Sequence, residues 1–172
     1  GLVYASDVIA NSKLEGITNT KAQVGYDKIK LDVNVNGNAL IQLPDESGYP
    51  VTFDKGLATH ASSEVIYTFD KGHEFEKFES YIGIDYVQYH INQSSVTFKV
   101  YVDNELVYDS YDIHGITTAH TPMQFVSVDI KDARELRLVV TDGNGSINYD
   151  HAEWANACFT RPLALPDYVD AI

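Results

Sequence analysis

The sequence predicts an all-β fold, a jelly-roll-like β-sandwich of antiparallel strands with little helix. Apolar and polar residues alternate through several short segments, as they do in strands with one buried face. Turn-forming Gly, Asp and Asn residues separate these segments. The helical signal is weak, and its best candidate is a single turn within residues 152–157. Short strands with this punctuation are typical of sandwiches and jelly rolls.

The predicted strands follow one another along the chain. Residues 29–35 place Ile29, Leu31 and two valines on one face and polar residues on the other. Residues 95–102 and 105–108 repeat the pattern on either side of Asp103-Asn104, which is the signature of a hairpin. The remaining predicted strands are residues 64–69, 78–84, 124–130 and 135–140.

The chain has the length of one domain. Its 172 residues can bury a sizeable core, and 44% of them are hydrophobic. We expect residues 1–162 to form the module and residues 163–172, which include Pro166, to be a C-terminal tail or the start of an interdomain linker.

Composition excludes several classes of partner. Lys and Arg total 12 against 25 Asp and Glu, a formal charge of −13. Nucleic acids and anionic membranes both require a basic surface, so neither is an expected partner. No apolar run approaches the roughly 18 residues of a membrane span, so membrane insertion is not expected. Cys158 is the single cysteine, which excludes an intramolecular disulfide.

No catalytic motif is present. The chain has no Gly-x-Ser-x-Gly elbow, no phosphate-binding loop and no His-Glu-x-x-His zinc helix. Function depends on a specific site, and the sequence contains no motif that indicates a catalytic one. We therefore expect a binding protein and not an enzyme.

Two segments place histidine among small residues. His60 lies between Thr59 and Ala61, and His151 follows Asp150 shortly before Trp154, the only tryptophan. Small neighbours let a ligand approach, His and Asp supply directional hydrogen bonds, and an indole offers a flat apolar face. The alternative is that both histidines are hydrogen-bonded interior residues and that Trp154 belongs to the core.

The loop before Trp154 also has the composition of a calcium site. Oxygen-bearing side chains recur at every second position and once more three residues later: Asp142, Asn144, Ser146, Asn148, Asp150 and Glu153. Ile147 replaces the glycine of a helix-flanked calcium loop, so that loop type is not expected. We expect a generic structural calcium site at Asp142, Asn144 and Glu153, with a polar surface turn as the alternative. Asp150 is claimed by both the ligand site and the calcium site.

An ordered series of motifs carries a family resemblance. Tyr4-Ala5-Ser6-Asp7 is followed by Lys55-Gly56-Leu57-Ala58-Thr59-His60-Ala61, Gly83-Ile84-Asp85, Val100-Tyr101-Val102-Asp103, Val107-Tyr108-Asp109-Ser110, 135–142 and Asp150-His151-Ala152-Glu153-Trp154-Ala155. Across roughly residues 3–160 the chain resembles the NPCBM modules, also classified as carbohydrate-binding module family 51.

The resemblance implies a non-catalytic β-sandwich attached to a catalytic glycoside hydrolase domain and secreted by a bacterium. It implies galactose-containing host glycans as partners, either terminal galactose or blood-group A and B antigens. The leader that directs secretion is expected outside this sequence. The alternative function is a structural or protein-interaction sandwich that binds no sugar.

The matched motifs carry His60, Asp150, His151 and Trp154 into the expected sugar site, and Asn148 lies beside them. After Gly83-Ile84-Asp85 the chain departs from the acidic, glycine-containing loop of the family. Gln88 and Tyr89 stand in this variable loop and are therefore candidates for ligand-specific contacts.

Overall fold

The computed structural model describes residues 1–163, and the strands dominate it. Their bounds are β1 (Leu2–Tyr4), β2 (Lys13–Leu14), β3 (Ile17–Gln23), β4 (Lys30–Leu31), β5 (Ile41–Pro44), β6 (Pro50–Phe53), β7 (Gly56–Ala58), β8 (Ser63–Phe69), β9 (Lys77–Ile84), β10 (Ser95–Val102), β11 (Glu105–Asp109), β12 (Thr117–Thr118), β13 (Gln124–Asp129), β14 (Glu135–Thr141) and β15 (Ala152–Thr160). Helices α1 (Ala5–Asn11) and α2 (Ser110–His114) and a 3-10 helix (Tyr86–Gln88) complete these elements.

Two antiparallel sheets form the sandwich. The first has the order β13-β9-β15-β7-β4, and β1 also pairs with β15. The second has the order β11-β10-β14-β8-β3-β2, and β12 also pairs with β10. Strands β5 and β6 form a separate hairpin. The all-β sandwich predicted from the alternating segments is confirmed.

The core fills the space between the sheets. Strand β8 alternates buried and half-buried residues, so that Val65, Tyr67 and Phe69 face inward. Trp154 on β15 meets Phe78 and Phe98 edge-on, with ring centroids 6.2 and 5.2 Å away. Such aromatic pairs add to the stabilisation from apolar burial, about 25 cal/mol per Å². The apolar faces of both sheets therefore meet in one continuous cluster.

The predicted hairpin is confirmed. Strands β10 and β11 pair antiparallel, and Asp103 and Asn104 adopt φ angles of 48° and 65°. These left-handed conformations are those of a two-residue turn that matches the twist of the strands, and Asp and Asn tolerate them well. The strands predicted at 64–69, 78–84, 124–130 and 135–140 form within one residue of those limits.

The strand predicted at residues 29–35 is wrong beyond Leu31. Asp32 has a φ of 64°, which ends the extended conformation. Its carboxylate accepts hydrogen bonds from the Ser6 hydroxyl, the Lys55 ammonium and the Gly56 backbone N–H. The following segment therefore becomes a loop, and its apolar residues no longer share one face of a strand.

The helical turn predicted within residues 152–157 is also wrong, because this segment belongs to the nine-residue strand β15. Strand β15 pairs with β9 on one side and with β7 and β1 on the other, and nearly all of it is buried, with Ala155 on its outer face packed against Ile41 and Leu43 of β5. Strands that are buried on both faces lose the polar–apolar alternation on which strand prediction depends. Asn156, with a φ of 56°, lies where the pairing with β9 is interrupted by a bulge.

Several loops lie between these strands. They follow β3, β4 and β7, and a fourth connects β14 to β15. Residues 164–172, most of the predicted tail or linker, lie outside the described residues. Within residues 1–163 no helix has the length and apolar character needed to cross a membrane.

Candidate functional site

These four loops enclose a pocket of about 550 Å³. The residues around it share no single element, and they are Tyr26, Asp27, Val35, Asn36, His60, Ile147, Asn148, Tyr149 and His151. The two histidine segments of the sequence thus meet in space, and His60, Asn148 and His151 are the predicted ligand residues that line the pocket. The size suits a monosaccharide-sized ligand.

His60 follows β7 and is held in a fixed orientation. Its Nδ1 lies 2.9 Å from the carbonyl oxygen of Ala61, which can only accept, so Nδ1 carries the proton in this contact. In the tautomer with its proton on Nδ1, the Nε2 atom is the acceptor. Backbone bonds from Gly25 N to His60 O and from Thr59 N to Ala152 O, at 3.0 and 2.8 Å, join this segment to its neighbours.

His151 lies beside His60, with ring centroids 5.4 Å apart. Its Nε2 is 3.4 Å from the side-chain nitrogen of Gln88, which is buried behind it on the 3-10 helix. Burial, with a smaller contribution from the charge of His60, lowers the pKa of His151 to about 4. His151 is therefore neutral at neutral pH, and its Nδ1 has no hydrogen-bond partner within residues 1–163. Gln88 contacts this histidine and does not line the pocket.

Asp150 lies behind the pocket wall and is completely buried. Its Oδ1 accepts a hydrogen bond of 2.9 Å from Ser95 N, and its backbone oxygen accepts one of 3.1 Å from Ala61 N. Burial, and to a smaller extent the charge of Asp142, raise the pKa of Asp150 to about 7. Asp150 therefore joins three segments that shape the pocket but does not itself reach the pocket lining.

Tyr26 is a pocket residue that the sequence did not reveal. Its ring is 67% exposed and its centroid is 5.7 Å from that of His60. Asn36 and Tyr149 also line the pocket. Tyr149 adjoins the predicted Asp150-His151 pair, a signal that was available. Tyr26 and Asn36 stand more than twenty residues before His60, in loops without any periodic pattern.

Trp154 and Tyr89 lie away from the pocket. Trp154 has an exposed fraction of 0% and packs in the core, so its indole has no face for a ligand. Tyr89 stacks on Tyr86, at 4.7 Å and 17°, and contacts His120 at 4.3 Å. Trp154 therefore points from β15 into the core, and the aromatic side chains at the pocket are those of Tyr26 and Tyr149.

The residues predicted to bind calcium are not brought together. Asp142 and Asn144 lie in the exposed loop, where their side-chain oxygens accept the backbone N–H groups of Gly145 and Ser146. Glu153 is buried beside Asp85 instead. In the described part of the chain no three His, Cys, Asp or Glu side chains form a group that could hold a metal ion. The predicted set therefore does not fit a Ca²⁺ ion, which takes six to eight oxygen ligands.

The pocket has the chemistry of a site for a neutral polar ligand. Lys30 Nζ lies 2.7 Å from the Asp27 carboxylate, which compensates the charge of the acidic pocket residue. His151 is neutral, and Asn148 and Asn36 offer both donors and acceptors. The Tyr26 ring adds an apolar face to this set.

Comparison with family models gives one match. The model described as NPCBM/NEW2 domain matches residues 10–160, which is most of the chain. A comparison with curated proteins finds no match.

Solved structures include three similar modules. The CBM51 of a GH95 protein from Clostridium perfringens, in complex with methyl-galactose, is 35% identical with a TM-score of 0.78, and the match covers 93% of this chain and 100% of that one. The CBM51-2 and INT domains of ZmpB from Clostridium perfringens, in complex with GlcNAc, are 33% identical with a TM-score of 0.80, and the match covers 95% and 32% of the two chains. The tandem CBM51 modules of Sp3GH98 from Streptococcus pneumoniae SP3-BS71 share the fold at 23% identity, with a TM-score of 0.82 and coverage of 100% and 50%. The chain thus spans about a third of the ZmpB structure.

Proposed function

The chain belongs to the NPCBM/NEW2 family, and from that membership and the pocket we propose that it is a non-catalytic carbohydrate-binding module for galactose-containing glycans. One observation carries the proposal. An exposed aromatic ring, Tyr26, lies at the rim of a pocket whose other polar side chains are two histidines, two asparagines, Asp27 and Tyr149. A pyranose is complementary to this set, because its C–H face can pack on the aromatic ring and its hydroxyls can hydrogen-bond to the polar side chains.

The apolar part of the recognition belongs to Tyr26. The C–H bonds of a pyranose carry small positive charges, and the face of an aromatic ring is negative, so the two attract each other. Tyr26 is exposed before ligand arrives, and covering it removes apolar surface from water.

The polar part belongs to His60, Asn148 and His151. His60 Nε2 accepts from a hydroxyl, while the Asn148 amide both donates and accepts. In galactose O4 is axial and in glucose it is equatorial, so donors and acceptors placed for one epimer are left unpaired by the other. Unpaired polar groups in a site produce strong discrimination.

The solved relatives support a sugar ligand and differ in which one they hold. The GH95 module was solved with methyl-galactose and the ZmpB module with GlcNAc. We favour galactose, as a terminal residue or within blood-group A and B antigens on host glycans. The module would direct a covalently linked catalytic domain, secreted by a bacterium, to surfaces dense in these glycans, where several weak contacts combine.

The pocket is tested by Tyr26→Ala, matched with Tyr49→Ala, since the two rings are 67% and 68% exposed and Tyr49 lies outside the pocket. We expect Tyr26→Ala to weaken binding of methyl-galactoside by about tenfold, and Tyr49→Ala to leave it unchanged. Isothermal titration calorimetry gives the affinities, and thermal unfolding should be the same for both variants. Equal affinities of the two variants for methyl-galactoside would show that the sugar does not bind in this pocket.

A glycan array with the isolated chain tests the ligand class. Signals confined to glycans with terminal galactose or blood-group A and B structures agree with the proposal. A silent array would favour a structural or protein-interaction sandwich, and release of sugar from the array would point to an enzyme.

A further inference from the structure

A second cleft, of about 410 Å³, is lined by the first half of the loop that connects β14 to β15. Residues 142–145 of this loop line the second cleft, and residues 147–149 line the pocket. The other polar and aromatic residues of the second cleft come from β10, the end of β11 and α2, and they include Thr97, Lys99, Asp109 and Tyr111. One loop is therefore a wall of both concavities.

Ser95, at the start of β10, holds both ends of this loop. Its hydroxyl donates to the backbone oxygen of Asp142 at 3.2 Å, and its backbone N–H donates to Oδ1 of Asp150 at 2.9 Å. A Cβ on Gly143 would lie 2.9 Å from the backbone of Ser95, so the loop packs directly on this strand. Because both ends meet at one residue, the loop is narrow at its base, and only its width separates the two concavities.

The crest of the loop consists of Asn144, Gly145 and Ser146, all of which are exposed. Asn144 Oδ1 accepts from Ser146 N at 3.0 Å, and Ser146 Oγ accepts from Asn148 N at 3.2 Å. These local hydrogen bonds hold the loop in one shape before a ligand arrives, which lowers the cost of binding. A Cβ on Gly145 would meet nothing within 4 Å, so the crest is low and open on top. It leaves room for a chain of sugars to pass from one concavity to the other.

The second cleft repeats the chemistry of the pocket. Tyr111 on α2 is 56% exposed and offers an aromatic face for the C–H bonds of a sugar ring. Thr97 is buried, and its hydroxyl hydrogen-bonds to that of Thr141. Hydroxyls can donate once and accept twice, so this pair keeps capacity for a further partner. An exposed ring beside hydroxyl groups suits a neutral sugar.

The charges of the second cleft favour a neutral ligand over an acidic one. Lys99 Nζ lies 3.9 Å from Oδ2 of Asp109, whose Oδ1 accepts from Tyr111 N at 3.0 Å. The cleft also contains Asp142, whose Oδ1 accepts from Gly145 N at 3.0 Å. Two carboxylates thus face one ammonium group, in a chain with a formal charge of −13. A sialylated or sulfated sugar would be repelled here.

We propose that a single neutral glycan occupies both concavities, with its terminal galactose in the pocket and an inner sugar in the second cleft beside Tyr111. The inference rests on the function proposed above, because it extends the ligand of the same site. It makes Tyr111 and the low crest determinants of glycan length. Methyl-galactoside, which has one sugar ring, fills only the pocket and does not reach them.

Calorimetry with ligands of different length tests the second cleft. Methyl-galactoside and the blood-group A and B tetrasaccharides are titrated into wild type, Tyr111→Ala and the control Tyr49→Ala, whose ring is 68% exposed and lines neither concavity. We expect wild type to bind at least one tetrasaccharide about tenfold more tightly than methyl-galactoside. Y111A should lose at least about fivefold for that tetrasaccharide and nothing for methyl-galactoside, while Y49A should match wild type for both. Thermal unfolding should be the same in all three proteins.

Backbone amide shifts provide a second readout that needs no substitution. The tetrasaccharide should shift the N–H signals of Tyr111 and Ile116, which line the second cleft, and methyl-galactoside should leave both in place. Full tetrasaccharide affinity in Y111A, or unmoved Tyr111 and Ile116 signals, would overturn the inference, and the proposed function would stand as long as methyl-galactoside binds. If wild type binds none of these sugars, the proposed function fails and the inference fails with it.

Discussion

Asp150 joins the pocket to the second sheet through a single carboxyl oxygen. Its Oδ1 accepts from Ser95 N at the start of β10, while its Oδ2 has no partner among the described residues. With its pKa raised to about 7 by burial, native Asp150 holds a proton between roughly pH 4 and pH 7 that the unfolded chain releases. Stability is therefore greatest at the acid end of this range and decreases as the pH rises through it.

Asp150→Asn should remove this pH dependence of stability, because the Asn amide does not titrate. Its oxygen can still accept the hydrogen bond from Ser95 N. We expect the unfolding free energy of wild type, relative to D150N, to fall by about 2 kcal/mol from pH 4 to pH 7 and to stay level above. Urea denaturation at a series of pH values measures it. Asp54→Asn, at an exposed site, is the control. A level difference over the whole range would show that native Asp150 is ionised.

At the same scale, the sequence singled out His60 and His151 as histidines with small neighbours but left open whether they belong to the core or to a site. The family motifs placed both in the expected sugar site, with Asn148 beside them, and all three line the pocket. Trp154 and Tyr26 could not be told apart in this way. Both are aromatic, and only the inward direction of β15 and the outward direction of the loop after β3 decide which ring meets solvent.

Among the elements, the loop after β3 approaches the His60 segment more closely than any side chain would allow. A Cβ on Gly25 would lie 2.0 Å from Ala61 O and 2.4 Å from Ser62 N. Glycine is therefore required here by close backbone approach. This contact brings Tyr26 next to His60. The position of the Tyr26 ring at the pocket therefore depends on glycine at position 25.

Gly25→Ala should separate the two segments. We expect a loss of about 3 kcal/mol in unfolding free energy and weaker sugar binding by the folded protein. Gly72→Ala is the matched control, since its Cβ meets nothing within 4 Å and only its φ of 79° is strained, at about 1 kcal/mol. Chemical denaturation measures both. Similar losses of unfolding free energy in the two variants would show that the loop after β3 can move to accommodate the added Cβ.

The elements also mark the limits of sequence-based prediction. Half-buried strands such as β8 and β14 alternate visibly, and their positions follow from the sequence. Strand β15 does not, because it is buried on both faces, and Ala155 on its outer face packs against Ile41 and Leu43 of β5. Strand β4 is short because of the Asp32 contacts with Ser6, Lys55 and Gly56, and all three of these residues are more than twenty positions away from Asp32.

For the whole molecule, the pocket is an assembly of loops from distant parts of the chain. Tyr26 and Asn36 come from its first quarter, and Asn148 and His151 from its last. The family motifs contain the segments that meet, but which other loops join them depends on the order of strands in the two sheets.

The burial of Trp154 makes the protein an optical reporter of its own folding. It is the only tryptophan in the sequence, and it lies in the apolar centre of the sandwich. We expect blue-shifted emission in the native state, a red shift on unfolding, and resistance to quenching by iodide. Because the indole lies outside the pocket, saturating galactoside should leave the spectrum unchanged, and a ligand-dependent shift would contradict the placement of the site. Trp154 fluorescence therefore reports the stability of every variant above and does not respond to sugar binding.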